Sequence, residues 1–66
     1  MKIVLNGEER EVRPELTIAE FLAEAGYLGR RVAIEVNRAI VPRSALATMR
    51  LAPGDRIEIV HAIGGG

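Results

Sequence analysis

The 66 residues suffice for one domain, and a chain this short buries only about 60% of its unfolded surface, which leaves no room for a deep catalytic cleft. Nine Lys and Arg balance nine Asp and Glu, so the basic excess that nucleic-acid binding requires is missing, and no apolar run approaches the roughly 20 residues of a bilayer span. The absence of cysteine excludes disulfides, thiol catalysis and thiolate metal sites, which leaves stability to packing of Val, Ile, Leu and Ala, and a soluble, cytoplasmic domain without a signal segment is expected.

Met1, Ile3 and Leu5 alternate with other residues and predict a strand. Asn6-Gly7 follows directly and signals a tight hairpin, because both turn positions need positive φ. The returning strand, Glu8 to Arg13, is charged except for Val12 and suits a sheet edge. Thr17 and Glu20 then form a T-x-x-E capping box, with Leu16 and Phe21 at the two positions of a hydrophobic staple. Ile18, Phe21, Leu22 and Ala25 share one helical face, and Gly26 suits a left-handed C-cap. One amphipathic helix is expected over residues 18–25.

Residues 27–31 read as a loop. Val32, Ile34 and Val36 are the inward positions of a strand running to Asn37. Ile40-Val41 is a short apolar piece, a short strand or turn, stopped by Pro42, and Ser44 is expected to cap one turn of α- or 3₁₀-helix reaching Thr48. Pro53-Gly54-Asp55 is a turn. The last strand covers 56–62, with Ile57 and Ile59 inward and Glu58 and Val60 outward. The first and last strands are both apolar and should lie side by side. One helix on one face of a mixed sheet of four to five strands is the α+β arrangement called the β-grasp, or ubiquitin-like, fold.

Ordinary catalysis finds no footing. His61 is the single histidine and has no cysteine or second histidine with which to bind zinc, so no metal site is expected. Glu8, Glu9 and Glu11 fit a solvated strand edge, Arg30, Arg31 and Arg43 solvated loops, and Ser44 has no base nearby. Gly26 and Gly29 follow a helix, and the segment lacks the ending of a phosphate loop.

The remaining feature is Gly64-Gly65-Gly66. A frayed terminus or a cloning remnant would account for it. A functional alternative is that residues without Cβ atoms pass where side chains would clash. Residues 63–66, fully extended, reach roughly 13–14 Å, so a flexible tail of 63–66 on a single 1–66 domain can carry its carboxylate into a partner's buried site. A carboxylate is a poor electrophile until an ATP-using partner attaches AMP to it. Sulfide can then displace the AMP and leave a thiocarboxylate. Such a protein needs no catalytic residue and no bound cofactor. Val60 and Ile63, with Arg43 at the rim, are the expected apolar partner contacts beside the tail.

Across essentially its whole length the chain resembles the ThiS family, the sulfur carriers of thiamin thiazole biosynthesis. The likeness rests on Ile3-Val4-Leu5-Asn6-Gly7, Thr17-Ile18-Ala19-Glu20-Phe21-Leu22, Val32-Ala33-Ile34-Glu35-Val36-Asn37, Ile40-Val41-Pro42-Arg43-Ser44, the run Gly54 to Val60, and the terminal glycines. Leu46 and Arg38 depart mildly from the family pattern. The resemblance implies adenylation of Gly66 by a ThiF-like, E1-type enzyme, a cysteine desulfurase as sulfur source, and the thiazole synthase ThiG as acceptor. The Gly-Gly ending is also shared with MoaD, the small subunit of molybdopterin synthase, and with ubiquitin-like modifiers. Molybdopterin synthesis, tRNA thiolation and isopeptide formation are the alternative destinations.

Overall fold

Asn6 and Gly7, with φ of 48° and 84°, make the turn between β1 (Lys2–Leu5) and β2 (Glu8–Glu11). This is the left-handed pair that a two-residue hairpin demands. The computed structural model describes residues 1–27 and 29–61. The register runs from Leu5↔Glu8 to Lys2↔Glu11. All four residues of β2 are exposed, as the charge pattern predicted. The strand is shorter than expected and stops at Glu11 rather than Arg13. Its neighbour β1 begins at Lys2, so only the Met1 carbonyl remains to take the Val12 N–H, at 2.8 Å.

The helix α1 spans Ile18–Glu24. Both halves of the capping box form: Glu20 N–H donates to Thr17 Oγ1 at 3.1 Å, and Thr17 N–H donates to Glu20 Oε1 at 2.9 Å. Leu16, with no exposed surface, and Phe21 are both in the core, where the staple places them. Ala25 is the C-cap. Gly26 follows at φ 88°, its N–H donating to the Ala23 carbonyl while Tyr27 N–H donates to that of Leu22. That pair of bonds is a Schellman ending, and only a residue tolerant of positive φ closes it. The helix entrance is also held from a direction the sequence did not suggest. Ile18 N–H donates to the Met49 carbonyl and Leu51 N–H to that of Leu16, each at 2.9 Å, which buries Leu51.

Beyond the loop, β3 (Val32–Val36) turns through Asn37 and Arg38, at φ 52° and 70°, into the two-residue β4 (Ala39–Ile40). The sequence reading allowed the short strand but continued β3 into Asn37 and placed no turn at Asn37-Arg38. Pro42 then starts a 3₁₀ turn over Arg43–Ala45. Ser44 is not its cap. The capping position belongs to Pro42, Ser44 sits within the turn, and no side chain caps the start.

The final strand, β5 (Arg56–His61), joins the hairpins, giving the order β2-β1-β5-β3-β4. It runs parallel to β1 and antiparallel to β3, so the two apolar strands are neighbours, as expected. Five strands and one helix make a β-grasp domain. Ile3, Ile18, Leu16 and Ile57 are its most completely buried side chains. Among the described residues no helix is long and apolar enough to cross a membrane.

Candidate functional site

The region of interest is the exit of β5. Of the residues expected to act there, Ile63, Gly64, Gly65 and Gly66 lie outside the described residues. Val60 is described. Its register partner is Ala33, and it is 55% exposed on the sheet face away from the helix. Parity explains this, since Ile57 and Ile59 take the core and force Glu58 and Val60 outward. His61, next along the strand, is exposed.

Arg43 is also exposed and lies on the 3₁₀ turn. It lines an open groove of about 480 Å³ between α1 and the β3–β4 hairpin, together with Leu22, Ile34 and Ala33. Ala33 therefore links the two expected contact residues: it pairs with Val60 across the sheet and lines the groove that Arg43 rims. Arg30 rims the same groove, its guanidinium 6.0 Å from the Tyr27 ring centroid, a cation–π distance.

The sequence reading missed Ile40. It is 75% exposed, and its register places it opposite Glu35, which pairs in turn with Glu58. The outer face thus carries Ile40, two facing carboxylates, Ala33 and Val60. Like charges directly opposite one another are mildly destabilising in a sheet. Reading Asn37-Arg38 as a turn would have fixed the parity of β4 and turned Ile40 outward.

Four hydrogen bonds, two of them to asparagine side chains, fix β5 and its approach against the neighbouring strands. Val4 N–H donates to the Asp55 carbonyl and Asn6 N–H to that of Ile57, both at 2.9 Å. One step further the main chain of β1 has already turned away, and the side chain of Asn6 replaces it: Ile59 N–H donates to Asn6 Oδ1 at 2.9 Å. On the opposite flank Asn37 Oδ1 accepts from Arg56 N–H at 3.0 Å. The asparagines of the two hairpin turns therefore grip the central strand from both sides.

The carboxylates with displaced pKa values serve the fold. Glu20 is held below the usual carboxylate range, first by the hydrogen bond from the Thr17 backbone N–H and then by the Thr17 side chain. Glu11 is lowered by its hydrogen bond and ion pair with the Met1 ammonium group, 2.9 Å away. Among the described residues no three His, Cys, Asp or Glu side chains gather closely enough to hold a metal ion. What the region offers is an exposed, partly apolar surface beside the end of a rigid central strand.

The model of the ThiS family matches residues 3–66. The chain is 47% identical over all its 66 residues to a thiazole synthase of Paramagnetospirillum magneticum, and 41% identical to one of Magnetococcus marinus. It spans 20% of the length of each of these relatives. An uncharacterised protein, ycf40 of Porphyra purpurea, is 27% identical and is covered over 93% of its length. The crystal structure of the thiamine biosynthesis protein ThiS from Geobacter metallireducens superposes with a TM-score of 0.89 at 26% identity, each chain covered completely. An NMR structure of a thiamine biosynthesis protein from the same organism gives 0.81, with 88% of that chain covered.

Proposed function

The chain belongs to the ThiS family, and from that premise we propose that it is a sulfur carrier in thiamin thiazole synthesis whose reacting group is the carboxylate of Gly66. A ThiF-like enzyme adenylates this carboxylate: a carboxylate oxygen attacks the α-phosphorus of ATP, the acyl–AMP anhydride forms and pyrophosphate leaves. Sulfide, ultimately supplied by a cysteine desulfurase, adds to the acyl carbon. The bond to the AMP oxygen breaks, AMP departs, and a thiocarboxylate remains. A thiazole synthase of the ThiG type then accepts the sulfur.

The observation that carries this reading is the family match running to residue 66, which takes in the three glycines. Support for the acceptor comes from the two thiazole synthases, in which a segment similar to this chain accounts for a fifth of the length. In the sequence Ser44 has no base nearby and His61 is the single histidine, which supports a carrier role for the β-grasp body. Its part is to present the tail while Val60, Ile63 and Arg43 meet the partner.

The test is direct. Incubation with ATP, sulfide and the cognate activating enzyme should add about 16 Da at the C-terminus, the exchange of one oxygen for sulfur. The same mixture without ATP should leave the mass unchanged. No gain under conditions that activate a control carrier would remove the proposal.

A further inference from the structure

Strand β5 outlasts its parallel neighbour. The pairing of β1 with β5 covers Val4↔Arg56 and Leu5↔Ile57, whereas β3 pairs with β5 from Ile57 as far as His61. The far end of β5 is therefore central on one flank and an edge on the other. The direction of its backbone groups follows from the register. Ile34 carbonyl accepts from Val41 N–H at 2.9 Å, so the backbone of Ile34 faces β4. Its partner Ile59 consequently turns away from β3, and the bond from Ile59 N–H to Asn6 Oδ1 shows it facing the β1 side. His61, two residues on, has the same orientation.

The Asn6 side chain is thus the last rung of that ladder. After it come the Ile59 carbonyl and the His61 N–H, which point to the β1 side past the last residues that β1 pairs with β5. They are the donor and acceptor that one residue of a continuing parallel strand would satisfy. Open strand edges of this kind are where extended peptides add to a sheet.

We propose that the β1-facing edge of β5 at Ile59–His61 receives an extended segment of the activating enzyme, which donates to the Ile59 carbonyl and accepts from the His61 N–H. The added strand aligns the carrier's last described residues with the enzyme just before the tail, and Asn6 ends the intramolecular ladder where this slot begins. The proposal rests on the carrier function given above, because that function supplies the partner.

The experiment uses the full chain and its cognate activating enzyme. His61→Pro deletes an N–H that faces away from β3 and lies past the last residues β1 pairs with β5, at an edge position where proline is tolerated. The variant should keep a near-normal melting temperature and bind the enzyme about two- to tenfold more weakly, the effect of one backbone hydrogen bond. His61→Ala, which keeps the N–H, should bind like the unaltered protein. In the complex of the unaltered protein, the His61 amide should gain protection against hydrogen exchange. That measurement decides the matter if the proline variant does not fold. Unchanged binding by His61→Pro, an equal loss in His61→Ala, or a His61 amide that exchanges as fast in the complex as in the free protein overturns the edge proposal. If the unaltered protein neither binds the enzyme nor gains mass with ATP and sulfide, both proposals fall. Mass gain with indifferent His61→Pro binding removes the edge alone.

Discussion

Asn37 Nδ2 donates to Asp55 Oδ1 at 3.0 Å and joins two turns that are 18 residues apart in sequence. Asp55 uses its other oxygen to accept from Ala52 N–H at 2.7 Å, and Asn37 Oδ1 accepts from Arg56. Asn37 therefore does two jobs: it adopts φ 52° in the β3–β4 turn and locks the start of β5. Asn37→Gly keeps the first and loses the second, and should cost about 1–2 kcal/mol for its two side-chain bonds. Asn37→Ala loses both and should cost roughly 1 kcal/mol more. Urea midpoints of the two variants separate the contributions. A glycine variant as stable as the parent would mean that the side-chain bonds carry nothing.

Arg38 occupies the second position of that turn at φ 70°, where an L-residue is strained. Arg38→Gly should stabilise the domain by about 0.5–1 kcal/mol, as relief of the left-handed strain outweighs the greater unfolded freedom of glycine. Gly7→Ala, at φ 84° in the equivalent turn, should act in the opposite direction although a Cβ there meets no neighbour. Thermal melts of the two variants should move apart.

At the helix entrance, Thr17→Ala removes the acceptor for Glu20 N–H and should cost about 1 kcal/mol. The cap also links stability to pH. The folded-state pKa of Glu20 lies below its unfolded value, so its contribution is present above the ordinary carboxylate pKa and is lost as pH falls through the lowered one. Glu20→Gln should flatten that part of the acid limb, and an NMR titration of Glu20 in the parent should give a midpoint below the reference carboxylate. A midpoint at or above the reference would contradict the cap's electrostatic role.

Val60→Asp tests the outer face. The side chain is exposed, so the substitution should cost stability only on the scale of strand propensity, about 1 kcal/mol or less. It should raise the KM for the carrier in ATP-dependent activation and leave kcat nearly unchanged, as loss of a docking contact does. Parent-like kinetics in a folded variant would take Val60 out of the interface.

Where local chemistry decides the outcome, the residues alone were informative. Thr17 and Glu20 announce the cap, Asn6-Gly7 the first turn, and the spacing of Ile57 and Ile59 the inward face of β5. The second hairpin was illegible because Arg38 is a poor left-handed residue that the surrounding strands hold in place. The pairing of Leu16 with Leu51 and the grip of Asn6 on Ile59 are long-range bonds, spanning 53 residues in the second case, and no local pattern signals them. Ser44 misled because serine is a favoured cap residue, whereas Pro42, two residues earlier, had already supplied the extended residue that starts the turn.

The last strand in sequence occupies the middle of the sheet. During synthesis the β1–β2 and β3–β4 hairpins both emerge with no shared neighbour, and two-stranded ribbons are marginal on their own. Cooperative closure must wait until residues 56–61 have left the ribosome and slid between them. A nascent chain halted before that point would leave the apolar faces of β1 and β3 and the helix uncovered, and would be an early target for proteolysis.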